Sequence, residues 1–137
     1  MLYPIAIERG DDKHAYGVEV PDLPGCFSAG DTLDEALALV TEAIEGHLEM
    51  LAESGAEIPQ ASPVARYVDE PEYHGRIWGV VEVDTLRYMG RAERVNITLP
   101  ARLLSMIDSF VQSSGKYRSR SDLLARGAER LLKEGRG

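Results

Sequence analysis

The stretch RVNITLP, residues 94–100, limits what this chain can fold into more than any other. Arg94, Asn96 and Thr98 alternate with Val95, Ile97 and Leu99. Period two is the signature of a β-strand with one polar and one apolar face. Pro100 then opens a helix at its first position. It is the one strand legible in the last fifty or so residues. A lone strand has two unpaired edges and is not stable in water. It must pair, most simply with the same strand of a second copy. Two copies give a two-stranded antiparallel ribbon over four helices. One ribbon face then carries Val95, Ile97 and Leu99, and the other carries Arg94, Asn96 and Thr98 twice.

Two helices follow the strand. PARLLSMIDSFVQSS sets Leu103, Leu104, Ile107, Phe110 and Val111 on one face, and Gly115 ends it. Ser119 with Asp122 makes a capping motif that opens SRSDLLARGAERLL, with Leu124, Ala128, Leu131 and Leu132 inward. A β-ribbon fits the DNA major groove, where arginine pairs with guanine edges, asparagine with adenine edges, and threonine reads either or touches the thymine methyl. Lys116 and Arg118 precede the second helix and add phosphate contacts. The bland alternative is a solvated polar face on an oligomerisation strand. Against it, the strand face lacks Asp and Glu, and Asn96 is a poor strand former.

The net charge of −8 hides two opposite halves. Residues 1–88 hold 5 Lys and Arg against 18 Asp and Glu, a net of −13, whereas residues 89–137 reach +5. An acidic half suits a basic protein and a basic half suits phosphate. The sign changes across residues 85–93, TLRYMGRAE, which read as the linker. The 137 residues allow one ordinary domain or two small ones. No signal peptide and no run of transmembrane length is read, and the single cysteine, Cys26, fits a reducing cytoplasm as a small buried side chain.

In the acidic half LYPIAIE puts Tyr3, Ile5 and Ile7 on one face, and AYGVEV puts Tyr16, Val18 and Val20 on one face, as a hairpin would. PDLPG breaks the pattern and CFSAG is a short third strand. A helix follows, opened by the capping box Thr32 to Glu35 and closed at Gly55, with Leu33, Leu37, Val40, Ile44, Leu48 and Leu51 as its apolar stripe. Residues 56–75 read as a loop, and RIWGVVEVD as a fourth strand buried on both faces around Val80 and Val81. Glu42, Glu45, Glu49 and Glu53 fall on one line of the helix, a stripe that would steer a basic, RNA-binding surface or simply face solvent. No catalytic constellation is read. Asp22, Glu82 and Asp84 are scattered, Asp22 suits a turn, and His14, His47 and His74 lack ligand spacing with each other or with Cys26. No enzyme activity, cofactor or metal is expected.

RVNITLP, LLSMID and GKYRSRSDLLARGAERLL together resemble the ribbon-helix-helix family of DNA-binding repressors over residues 93–132. The resemblance implies base reading by Arg94, Asn96 and Thr98. It also implies a phosphate grip at the second helix's start by Ser119, Arg120 and Ser121, where free amides attract anions. PDLPGCFSAGDTLDEALALVTEAI, with IPQASP and VEVD, resembles the HicB antitoxins over most of residues 1–88. That resemblance implies a partial ribonuclease-H-like βββαβ domain that covers a small basic HicA toxin, an mRNA-cleaving enzyme. The expected architecture is α+β, with residues 1–88 binding toxin, a contact assigned to the glutamate stripe, and residues 92–137 forming a ribbon-helix-helix that dimerises. The expected partners are a HicA-like toxin, operator double-stranded DNA and a second copy, with tetramers left open and no membrane. The rival reading is a ligand-responsive ribbon-helix-helix repressor whose first domain senses a small molecule; a nuclease ranks below both.

Overall fold

Alternating apolar residues make β1, Leu2–Glu8, the most buried strand of the chain. In the computed structural model, which describes residues 1–136, it pairs antiparallel with both β2, Tyr16–Glu19, and β4, Ile77–Glu82. β3, Phe27–Gly30, pairs antiparallel with β2, so the sheet order is β3-β2-β1-β4. The helix α1, Leu33–Glu53, packs on one face. Its Ala36, Val40, Ile44 and Leu48 meet Tyr3, Ile5, Ile7, Val18 and Val20 in a single core. Leu33 at the end of the expected stripe stays exposed and Leu37 and Leu51 are half-buried, so the buried line is centred on Val40, Ile44 and Leu48.

Position in the sheet explains a correction. The fourth strand is not buried on both faces: Val80 is 52% exposed and Val81 half-buried. β1 takes the central place, leaving β4 as an edge with one neighbour. Residues 56–75 are also more than a loop. They form two short 3₁₀ turns, Val64–Arg66 and Pro71–Tyr73, and supply rings to the second face of the sheet. There Trp78, the cross-strand neighbour of Ala6, stacks on Tyr67 with centroids 6.3 Å apart and meets Tyr73 edge-on at 5.4 Å. Pro4 and Ala6 on that face are buried as well.

Helix ends follow the capping residues, with one shift. The amide of Glu35 donates to the Thr32 hydroxyl at 3.1 Å, but the Glu35 carboxylate accepts from the amide of Asp31, one residue before the cap. At the other end Gly55 has φ 75°, its amide bonds the Ala52 carbonyl, and Ala56 bonds Leu51. This is a Schellman motif, for which a residue without Cβ is favoured.

The chain divides into two compact units, Met1–Arg91 and a second from Ala92 onward. The expected linker therefore starts too early. Thr85–Tyr88 forms a 3₁₀ turn whose Thr85 and Tyr88 are buried in the first unit. The second unit contains α2, Ala101–Ser114, and α3, Arg120–Arg136. Pro100 is the N-cap of α2 rather than its first residue, with φ −56° and ψ 137°, and its carbonyl accepts the amide of Leu104. Gly115 ends α2 in the left-handed region at φ 68°. Residues 91–100 belong to no helix or strand, and among the described residues no strand pairs with this segment.

Candidate functional site

The glutamate stripe lies on the side of α1 away from the core. Glu42, Glu49 and Glu53 are exposed and Glu45 is half-buried, opposite Val40, Ile44 and Leu48. Near this face burial pushes the Tyr88 phenol above its ordinary range; Glu45, Glu49 and Asp84 add to the rise and Arg87 opposes it. The first unit thus presents a line of carboxylates on a rigid helix, a geometry suited to cationic side chains.

Asp22, expected as a turn residue, is half-buried and holds more than its turn. It accepts the Ser62 amide at 2.7 Å and the Tyr67 hydroxyl at 2.6 Å. With the Tyr3 hydroxyl donating to the Pro59 carbonyl at 2.7 Å, these bonds fasten residues 59–67 to the sheet domain. Burial, reinforced by the negative charge of Asp22, pushes the Tyr3 phenol up to about 12. Cys26 is buried and burial raises its thiol, as for an inert packed cysteine. His47 is half-buried on α1, and the His14 Nδ1 lies 2.9 Å from an Asp11 carboxylate oxygen in the exposed turn. Among the described residues no group of three or more His, Cys, Asp or Glu is placed to hold a metal ion, and no helix is long and apolar enough to cross a membrane.

In the second unit Arg94, Asn96 and Thr98 are exposed, and so are the residues between them, Val95 at 72% and Ile97 at 60%. The expected inward faces are only partly covered. Ile107 is the one buried apolar side chain among the described residues of this unit, Leu124 is half-buried, and Ala128, Leu131 and Leu132 are exposed in the single chain. An apolar groove of about 300 Å³ runs between α2 and α3, lined by Met106, Ile107, Phe110, Tyr117, Leu123 and Arg126 among others. The start of α3 is capped as expected, since the Asp122 amide donates to the Ser119 hydroxyl at 3.1 Å. The Asp122 carboxylate accepts from the Arg118 amide, the same one-residue shift as at α1, and that bond with the Arg126 and Arg118 guanidiniums holds its carboxyl below the usual range. Lys116, Arg118 and Ser121 are exposed beside this helix start. The guanidinium of Arg120 is differently employed. Its Nε and one terminal nitrogen fork onto the two Asp108 oxygens at 3.0 and 2.9 Å, tying α3 to α2 and lowering the Asp108 carboxyl. The twelve-residue spacing carries no local signal for this pair, nor does the forty-residue spacing of Asp22 and Ser62.

The first unit carries an acidic helix face, and the second an open apolar hairpin with a basic helix start. The family model for the HicB-like antitoxin of bacterial toxin–antitoxin systems matches residues 3–128, and the chain belongs to that family. The family is one of antitoxins, not of enzymes. A 14.9 kDa protein of uncharacterised function from the rep-hol intergenic region of Haemophilus phage HP1 is 48% identical over 132 residues, covering 96% of this chain and 98% of its own. The crystal structure of the Burkholderia pseudomallei antitoxin HicB is 42% identical with a TM-score of 0.73, covering 93% of this chain and 96% of that one. A chain from a HicA3 and HicB3 toxin–antitoxin complex is 34% identical with a TM-score of 0.52, over 61% of this chain and 99% of that one.

Proposed function

We propose that this chain neutralises a HicA-type, mRNA-cleaving toxin through its first unit and represses its own operon through its second. The observation that carries the first half is the carboxylate line of α1, Glu42, Glu45, Glu49 and Glu53, set outward on a half of net charge −13. A ribonuclease must present a basic surface to RNA, and a carboxylate stripe competes with phosphate for it. The relative seen within a toxin–antitoxin complex supports the same partner.

The second half rests on the exposed apolar residues of the helical unit. A segment that leaves Val95, Ile97, Met106, Phe110, Leu131 and Leu132 open to water buries too little to stand alone. A second copy covers them if the two 94–99 strands pair as a ribbon over four helices. Arg94, Asn96 and Thr98 then enter the major groove. Lys116, Arg118, Ser119 and Ser121 take phosphate oxygens, with Arg120 contributing its main-chain amide at the helix start. The groove between α2 and α3 does not favour the sensor reading, since it lies on the surface this dimer would cover.

A small basic HicA-type toxin serves as the test partner. Its expression alone should arrest growth, and co-expression of the full chain should relieve the arrest. Operator binding is expected to weaken by ~1–3 kcal/mol in Asn96→Ala, with relaxed preference at one base position. No arrest, or arrest that the full chain leaves untouched, discards the toxin; unchanged operator affinity of Asn96→Ala discards strand readout.

A further inference from the structure

The second face of the sheet is covered on one side only. Tyr67 and Tyr73 pack on Trp78, over β4 and β1, whereas toward β3 the face meets solvent. Register fixes what stands there. Phe27 pairs with Glu19, which pairs with Ala6; Ala29 pairs with Gly17, which pairs with Glu8. Paired residues share a face, so these side chains form two adjacent rows across β3, β2 and β1. Phe27 is 69% exposed, Ala29 and Glu8 are exposed, and Gly17 and Glu19 are half-buried. Gly17 and Ala29 make a low floor, flanked by the Phe27 ring and by two carboxylates. Glu8 leans over that floor, since a Cβ on Gly17 would meet its Oε2 at 3.8 Å. The platform is rigid. The Ser28 hydroxyl donates to the Ala36 carbonyl at 2.8 Å, fastening β3 to α1. The turn before Phe27 is closed by the Cys26 amide on the Leu23 carbonyl and the Val20 amide on the Cys26 carbonyl.

An exposed ring on a rigid strand is pre-organised for a partner, because little freedom is lost when one settles on it. No ion pair among the described residues includes Glu19. Arg76 reaches Glu8 only at 3.9 Å and leaves that side chain 68% exposed. Burial raises the Tyr73 phenol and the charge of Glu19 adds to the rise, so this carboxylate acts on an apolar neighbourhood. A ring face, an apolar floor and two carboxylates together match one kind of side chain. A guanidinium stacks on an aromatic ring, forks onto a carboxylate and lays its methylene stem on apolar surface, whereas an ammonium is more strongly hydrated. We propose that Phe27, Glu19 and Glu8 seat an arginine of the basic toxin on the second face of the sheet. The partner rests on the toxin reading above. The seat lies on the side of the sheet opposite α1, so its role is separable from that of the glutamate line. The line speeds encounter, and the seat sets how long the complex lasts.

Dissociation of the full chain from an immobilised HicA-type toxin is the test. Phe27→Leu keeps an apolar side chain but removes the ring face, and should speed dissociation about 10-fold. Phe27→Trp supplies a better ring for a cation and should dissociate no faster than wild type. Glu19→Gln should speed dissociation by a similar factor. Phe27→Leu combined with Glu19→Gln should lose less than the product of the two effects, because both act on one side chain. Melting temperatures of the Phe27 variants should match wild type, since the ring is exposed. A wild-type dissociation rate in Phe27→Leu or in Glu19→Gln overturns the proposal. Equal losses in Phe27→Leu and Phe27→Trp would make the contact one of shape, and overturn it too. Effects that multiply in the double variant would put ring and carboxylate on different toxin groups and discard the shared arginine. A wild type that does not bind the toxin overturns the toxin reading and the seat with it, an outcome seen before any variant is made.

Discussion

Tyr3 combines two functions that are separable by one oxygen atom. Its ring fills the core between the sheet and α1, and its hydroxyl holds the Pro59 carbonyl at 2.7 Å. Burial favours the neutral phenol, so its ionisation moves from the ordinary 10 up to about 12. Below pH 10 the folded and unfolded chains both keep the proton. Between 10 and 12 the unfolded chain releases it and the folded chain does not, so stability falls as pH rises through that window. Tyr67, Tyr73 and Tyr88 are shifted the same way and add to the slope. Tyr3→Phe should cost ~1 kcal/mol at neutral pH from the lost hydrogen bond, yet lose less stability than wild type between pH 10 and 12. Urea denaturation at a series of pH values checks both; parallel wild-type and variant curves across the window would contradict the assignment.

At the scale of elements, α2 and α3 form a hairpin with little core of its own. Ile107 is its one buried apolar residue among the described residues, and the fork from Arg120 to Asp108 is a direct side-chain tie between the two helices. The tie bears on the proposed operator contact. If the guanidinium stays on Asp108 in the complex, Arg120→Ala should leave the salt dependence of operator binding nearly unchanged. Asp108→Ala should free the guanidinium for a phosphate and steepen the log–log salt slope by about 0.9. Titrations at several salt concentrations distinguish this from direct phosphate contact, for which Arg120→Ala is the variant that flattens the slope. The same hairpin shows what a sequence makes legible. Thr32, Gly55, Gly115 and Ser119 announce helix ends because a cap is made within a few residues. The Asp22 clasp and the Arg120 fork are made by residues far apart in the chain, and period and capping rules do not reach them. β4 departs from its expected burial for a related reason. An apolar run fits a central strand or an edge awaiting a partner, and only the pairing of β1 with both neighbours decides between them.

For the whole molecule the separation of charge is the organising fact. On the proposed function, a half at −13 and a half at +5 would present one chain to two polyions of opposite sign. Each proposed partner would then be attracted by one half and repelled by the other, which would favour docking to the intended unit. The carboxylate line of α1 should act mainly on encounter, because exposed charges steer association more than they hold a complex. Replacing Glu42, Glu45, Glu49 and Glu53 together by Gln should slow toxin association roughly 10-fold at low salt. The difference should shrink towards nothing as ionic strength shortens the Debye length to about 3 Å near 1 M. Operator affinity should be unchanged or slightly higher, since the variant removes negative charge that repels DNA. Association rates on immobilised toxin, measured from low to high salt, decide the matter. A variant whose rate matches wild type at low salt would place the toxin on another surface of the acidic unit. One slowed equally at every salt concentration would make the glutamates direct contacts rather than a steering field.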